Sequence, residues 1–201
     1  MIIKRIPAGI YAANCYILVD EATKESAVID PGGDADDLFE AVSEMGAEVK
    51  HIVLTHGHLD HTGAVRDFVN KFDVPVYVNK KDWDLMSNNE YLFGNLNFNG
   101  KYVYVNDNDV IKIGETAIEC LETPGHTPGG MSYKVEDKIL TGDTLFLGSI
   151  GRTDLTGGDF NVLIKSIKDK LLINDDSIVI YPGHGPSSTI GYERNRNTFL
   201  R

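Results

Sequence analysis

Apolar positions alternate with polar ones, or run together, over residues 1–6, 14–20 and 25–30, with turn signals at Pro7–Gly9 and around Glu21–Lys24. This pattern predicts an opening antiparallel meander. Asp30-Pro31-Gly32-Gly33 stops the third strand, and from Asp34 to Met45 the spacing of Ala35, Leu38, Phe39, Val42 and Met45 predicts a helix that Gly46 ends. Val49–Leu54 reads as a strand, Thr62–Phe72 as a helix, Val74–Val78 as a strand and Lys80–Met86 as a short helix. Strands return from Val110 and continue at Ala117–Glu122, Gly130–Val135 and Lys138–Thr141. The amphipathic helix Asp159–Leu172, a last strand at Ile178–Tyr181 and a short terminal helix complete the chain. Sheet followed by helix thus occurs twice, over roughly 1–86 and 103–201. Two such halves packed sheet on sheet predict an α+β fold, a four-layer αββα sandwich, and residues 1–201 as one domain. Between the halves, Ser87–Gly100 is rich in Asn and Gly and carries Tyr91, Phe93 and Phe98. It reads either as a lid over a pocket or as a surface loop anchored by aromatics.

Composition narrows the function classes. The 201 residues suffice for a substantial core, and 42% hydrophobic with 24% charged residues is ordinary for a globular protein. No apolar run approaches the roughly 18 residues of a membrane span. The amino terminus breaks its apolar pattern at Lys4 and Arg5, which suits a first strand rather than a signal peptide, so a cytoplasmic location is expected. A net charge of -11 without a basic cluster speaks against a nucleic-acid partner and favours a small-molecule substrate. Cys15 and Cys120 read as two reduced, buried thiols. Oligomeric state is not legible.

The chemistry concentrates in Thr55-His56-Gly57-His58-Leu59-Asp60-His61, which holds three of the six histidines. Steps of two, two and one match neither a helix face nor a strand face, so these side chains converge from a loop. Imidazole nitrogens and a carboxylate oxygen converging on one point suit a divalent cation, zinc first, with iron or manganese also compatible. His126, Asp143 and His184 follow later predicted strands in the same way, so seven candidate ligands collect at one sheet edge. His51 lies inside a strand and reads as a packed or surface histidine.

The pattern His56-x-His58-x-Asp60-His61, with His126 in Thr-Pro-Gly-His-Thr, Asp143 in Thr-Gly-Asp-Thr and His184 in Pro-Gly-His-Gly, resembles the metallo-β-lactamase-fold hydrolases of the glyoxalase II-like branch. The resemblance implies that His56, His58 and His126 bind one metal, that Asp60, His61 and His184 bind a second, and that Asp143 bridges them. It implies hydrolysis by a hydroxide held between two divalent metals, with Asp60 also orienting that hydroxide, and a thioester such as an acylglutathione as substrate. Two departures stand out. The chain ends 17 residues after His184, without the additional helical domain of the glutathione-specialised members, and Leu145–Asp154 replaces a Cys-Gly-Lys-type segment. Both point to a smaller single-domain bacterial subgroup. Arg152 is a candidate substrate-binding residue, as a fork donor to a carboxylate, or it pairs with Asp154 to hold the loop. Asp30, before Pro31-Gly32, reads as a turn former or as a support beside the site. The alternative carried by the same motif and by Gly151-Arg152-Thr153-Asp154 is a mononuclear iron persulfide dioxygenase using His56, His126 and Asp143. β-Lactamase activity and a non-catalytic metal-binding domain rank below it.

Overall fold

The computed structural model describes residues 1–96 and 98–201. The meander forms as expected: β1 (Ile2–Ala8), β2 (Ala13–Val19) and β3 (Glu25–Ile29) pair antiparallel. After α1 (Ala35–Glu44) comes β4 (Glu48–Val53), parallel to β3, and then the histidine loop. The predicted helix 62–72 forms as α3 (Val65–Phe72), starting three residues later than expected, and a separate turn, α2 (Leu59–Thr62), precedes it. One separate turn after His58 lets Asp60 and His61 leave the loop together, with Thr62 Oγ1 bonded back to the His58 carbonyl at 3.1 Å. β5 (Val76–Val78), α4 (Lys80–Ser87) and β6 (Tyr102–Tyr104) complete a sheet ordered β1-β2-β3-β4-β5-β6.

The second sheet contains β7 (Val110–Ile113), β8 (Thr116–Glu122), β9 (Met131–Val135) and β10 (Lys138–Gly142). A small hairpin follows, β11 (Leu145–Phe146) with β12 (Ser149–Ile150), and then α5 (Phe160–Ser166). The helix expected to run to Leu172 widens after Ser166 into a π segment, Ile167–Leu171, where Leu172 N–H bonds five residues back to Ile167 at 2.9 Å. β13 (Val179–Pro182), β14 (Ser188–Thr189) and α6 (Ile190–Arg196) end the chain, and the sheet order is β14-β13-β10-β9-β8-β7. The two-residue strands had no periodicity to read.

The four layers follow from three apolar clusters. Leu18, Ile29, Ile118, Tyr133 and Leu140 lie between the sheets, Leu38, Phe68 and Val65 under α1 and α3, and Leu163, Ile167 and Ile190 under α5 and α6. Cys15 and Cys120 are buried free thiols in separate clusters. Among the described residues no helix is long and apolar enough to cross a membrane.

Polar bonds lock the sheets together at one edge. Tyr133 on β9 donates its buried hydroxyl to the Leu54 carbonyl at 2.7 Å, and Tyr16 on β2 donates to Pro182 at 2.6 Å. Met131 N–H meets the Thr55 carbonyl at 2.7 Å, and Asn14 N–H meets Gly183 at 2.7 Å. Each bond ends on a residue next to a ligand-bearing loop. Leaving any one of these four buried carbonyls unpaired would cost about 1–3 kcal/mol, so the sheet junction is held where the candidate site begins.

Candidate metal centre

His56, His58 and His126, all buried, bring one ring nitrogen each within 4.8 Å of one another; Asp60, His61 and His184 form a second such group. The first group joins the two sheets, since His58 Nδ1 faces His126 Nε2 at 2.9 Å. Asp143 stands between the groups: Oδ1 is 3.5 Å from His61 Nε2, and Oδ2 is 3.6 Å from His126 Nε2 and 3.7 Å from His184 Nε2. All seven residues expected from the sequence therefore meet at one place. Gly183 makes room for them, because a Cβ there would lie 2.2 Å from Asp143 Oδ1 and 2.7 Å from His61 Cε1.

The groups differ in charge. Burial, reinforced by His61 and the other imidazoles, holds His56 well below its ordinary range, and burial with His126 brings His58 down to about 3. Both rings are neutral and offer lone pairs. For His61, burial also opposes the proton, but Asp143, Asp30 and Asp60 outweigh it and raise the ring to about 9. His184 is raised chiefly by its 3.2 Å bond to Asp60. Burial would raise Asp60, yet His184 and His61 bring it down to about 2.

Each imidazole is aimed from behind. Asp30 accepts from Thr55 N–H at 2.7 Å and from Thr55 Oγ1 at 2.5 Å, and its Oδ2 takes His61 Nδ1 at 3.0 Å. Thr55 Oγ1 also touches His56 Nδ1 at 3.0 Å, so one carboxylate reaches both groups. Asp30 is thus a support rather than a turn former alone. His126 Nδ1–H donates to the Arg152 carbonyl at 2.7 Å, which leaves Nε2 pointing inward. Thr55 and this backbone carbonyl escaped the sequence reading; a carbonyl leaves no mark in residue identity. His51 lies apart, bonded to the Lys112 carbonyl at 2.9 Å and edge-on to Tyr77, as expected of a packed histidine.

A model of the metallo-beta-lactamase superfamily matches residues 8–184. The chain belongs to that superfamily. Hydroxyacylglutathione hydrolase GloC of Haemophilus influenzae is similar at 38% identity, over 100% of this chain and 98% of its own. Among solved structures, the BLEG-1 B3 metallo-beta-lactamase superposes with a TM-score of 0.90 at 35% identity, covering 99% of each chain. ETHE1 from Myxococcus xanthus superposes with a TM-score of 0.85 at 27% identity, over 98% of this chain and 84% of its own.

As a metallo-beta-lactamase superfamily member, the chain has a donor set that fits divalent ions. His56 Nε2, His58 Nε2, His61 Nε2 and Asp143 Oδ1 are buried without a hydrogen-bond partner among the described residues, a costly arrangement unless something else satisfies such atoms. The centre opens into a cavity of about 510 Å³ walled by Leu59, Leu92, Phe146, Ile150 and Leu155, with Tyr11 and Arg152 at its polar positions. The first part of the Ser87–Gly100 segment forms one wall: Leu59 N–H bonds the Leu92 carbonyl at 2.9 Å, and Phe93 packs on His58. Of that segment, Asn97 lies outside the described residues. The Arg152 side chain makes a two-point bond to Asp154, at 2.8 and 2.7 Å, while lining the cavity.

Proposed function

We propose that this superfamily hydrolase is binuclear and cleaves a thioester to a carboxylic acid and a thiol, with an acylglutathione as the first substrate class. The observation that carries it is the pair of ligand groups sharing Asp143 beneath an apolar-walled cavity. His56, His58 and His126 would hold one divalent ion and Asp60, His61 and His184 the other, zinc first, with Asp143 reaching both. Bound there, the ions supply a water of lowered pKa as nucleophile and positive charge to polarise the carbonyl.

The chain's own groups do the rest. Asp60, kept ionised beside His184, orients the attacking water. Leu59, Leu92, Phe146 and Ile150 exclude bulk water from the reacting carbonyl. Among the described residues no carboxyl or imidazole beyond the candidate ligands lines the cavity to protonate a poor leaving group. A thiolate, with a pKa near about 8.5, needs little such help. End-to-end similarity to a hydroxyacylglutathione hydrolase supports the same substrate class.

The second reading, a mononuclear iron persulfide dioxygenase, keeps weight because Gly151–Asp154 lies against His126 through the Arg152 carbonyl. It would employ His56, His126 and Asp143 and leave His58, Asp60, His61 and His184 without a task. Metal content of the purified protein, followed by thiol release from S-lactoylglutathione and a panel of acyl thioesters, separates the two. Two metals per chain with thiol release is the expected result. One iron per chain with oxygen consumed on a persulfide overturns it, as does metal-replete protein without thioesterase activity.

A further inference from the structure

Asp82 does not line the cavity, and nothing in its sequence context marks it. It lies in the first turn of α4, with a fully buried side chain. Its carboxylate accepts three hydrogen bonds: Oδ2 from Gly57 N–H at 2.8 Å and from Thr127 Oγ1 at 2.7 Å, and Oδ1 from Gly129 N–H at 2.6 Å. Burial pushes this carboxyl up, and the three donors that face it oppose that rise, an arrangement only a carboxylate with both oxygens accepting satisfies in full.

The partners belong to two loops. Gly57 separates His56 from His58 at the end of β4, whereas Thr127 and Gly129 follow His126 after β8. One carboxylate from a helix outside both loops therefore ties a loop of the first sheet to a loop of the second. The fit is close: a Cβ on Gly129 would stand 2.6 Å from Asp82 Oδ1 and 2.7 Å from its backbone nitrogen. None of the bonds to Asp82 reaches Asp60, His61 or His184, which rest on Asp30 and on one another.

The geometry points to Asp82 as a positioning residue that fixes the distance between His58 and His126 and so sets metal affinity at the three-histidine group without setting it at the Asp60 group. This rests on the metal-hydrolase reading above. Supports of this kind typically shift metal affinity by about 10–100-fold when removed. In Asp82→Asn the amide has nearly the same shape, but its nitrogen is a donor and cannot accept from either Gly57 or Gly129.

The test is a titration of metal-free protein with Co(II) against a competing chelator, read by d–d absorbance. His126→Ala and His184→Ala assign the two binding steps. Asp82→Asn is expected to remain folded and to weaken the three-histidine step by about 10–100-fold while the other step keeps its affinity. Equal weakening of both steps reduces Asp82 to a general fold support and overturns the proposal, and so does an unchanged pair of steps. If Asp82→Asn is not recovered folded, Thr127→Val decides, since it removes one donor and keeps the carboxylate. Weakening confined to the three-histidine step then supports the proposal; no change, or an equal change, overturns it. A wild-type chain that binds no Co(II) overturns the hydrolase reading and this role together. A wild-type chain with two sites and an unaltered variant overturns only the role of Asp82.

Discussion

The two halves of the centre reach the same density of donors by opposite electrostatics. His56 and His58 sit among apolar walls and other imidazoles, and burial keeps them neutral. His61 sits among carboxylates that keep its proton on, and the bond to Asp60 raises His184, so that half sets an imidazolium against carboxylates. An incoming dication meets free lone pairs at one half and must displace a proton at the other, which couples its binding to pH. Sharing a fold edge thus does not make ligands equivalent; their neighbours decide.

Asp143 is the one residue whose loss should erase this difference, because it is within 3.5–3.7 Å of His61, His126 and His184. Asp143→Asn is expected to lower kcat/KM on the order of 10⁴-fold and to reduce metal content at both halves, since charge stabilisation by bound metal is worth several kcal/mol. His58→Ala and His184→Ala should each empty one half only. Metal analysis of the three variants checks this, and a full complement in Asp143→Asn would show that the halves are independent.

The next effect concerns the metal-free protein. His58 has a folded pKa near 3 against 6.5 unfolded, so its contribution is present above pH 6.5 and lost as the pH falls toward 3, on the order of 5 kcal/mol in full. His61 has the opposite sign. With a folded pKa of about 9, its contribution is complete below pH 6.5 and lost as the pH rises through 9, on the order of 3 kcal/mol. Urea unfolding of apo-protein should give a stability maximum near pH 6.5. A monotonic profile from pH 5 to 9.5 would remove the electrostatic contrast between the halves.

Asp30→Asn sharpens the same contrast. The positive φ of 50° at Asp30 tolerates asparagine, but the carboxylate that takes His61 Nδ1 and the Thr55 hydroxyl is gone. A stability loss of about 2 kcal/mol is expected at pH 6.5. The alkaline fall assigned to His61 should shrink while the acidic fall assigned to His58 stays. Equal change on both limbs would mean that Asp30 serves the fold and not one half.

These contrasts also show what residue order can and cannot carry. The layers were legible because Leu38, Phe39 and Val42 keep helical spacing and the strands keep theirs, and all seven donors were legible because each follows a strand end. The relation between the donors was hidden. Asp82 shares no spacing with His58 or His126 and reaches their loops only through tertiary packing, bonding Gly57, Thr127 and Gly129, as one acid among several charged residues opening a helix. The separate turn α2 ahead of α3 was hidden too, since only the bonding around His58 sets Leu59–Thr62 apart from the helix that follows. The π segment after Ser166 keeps an apolar face that a regular helix would share.

Arg152 offers the smallest and most diagnostic change. Its backbone carbonyl holds His126 of the three-histidine half, while its guanidinium is committed outward, bonded to Asp154 with side chains 60% and 69% exposed. An ion pair so exposed is worth at most about 1 kcal/mol, and Ala at this position keeps the carbonyl. Arg152→Ala should therefore leave metal content and the apo pH profile unchanged and lower kcat/KM for S-lactoylglutathione by no more than about fivefold. The same variant assayed on an uncharged acyl thioester isolates the guanidinium. A loss beyond about 100-fold, confined to the carboxylate-bearing substrate and expressed in KM, would mean that Arg152 leaves Asp154 to clamp that carboxylate as a two-point donor. In that case the three-histidine half would hold His126 and the substrate through the backbone and side chain of one residue, and the contrast between the halves would extend from metal to substrate.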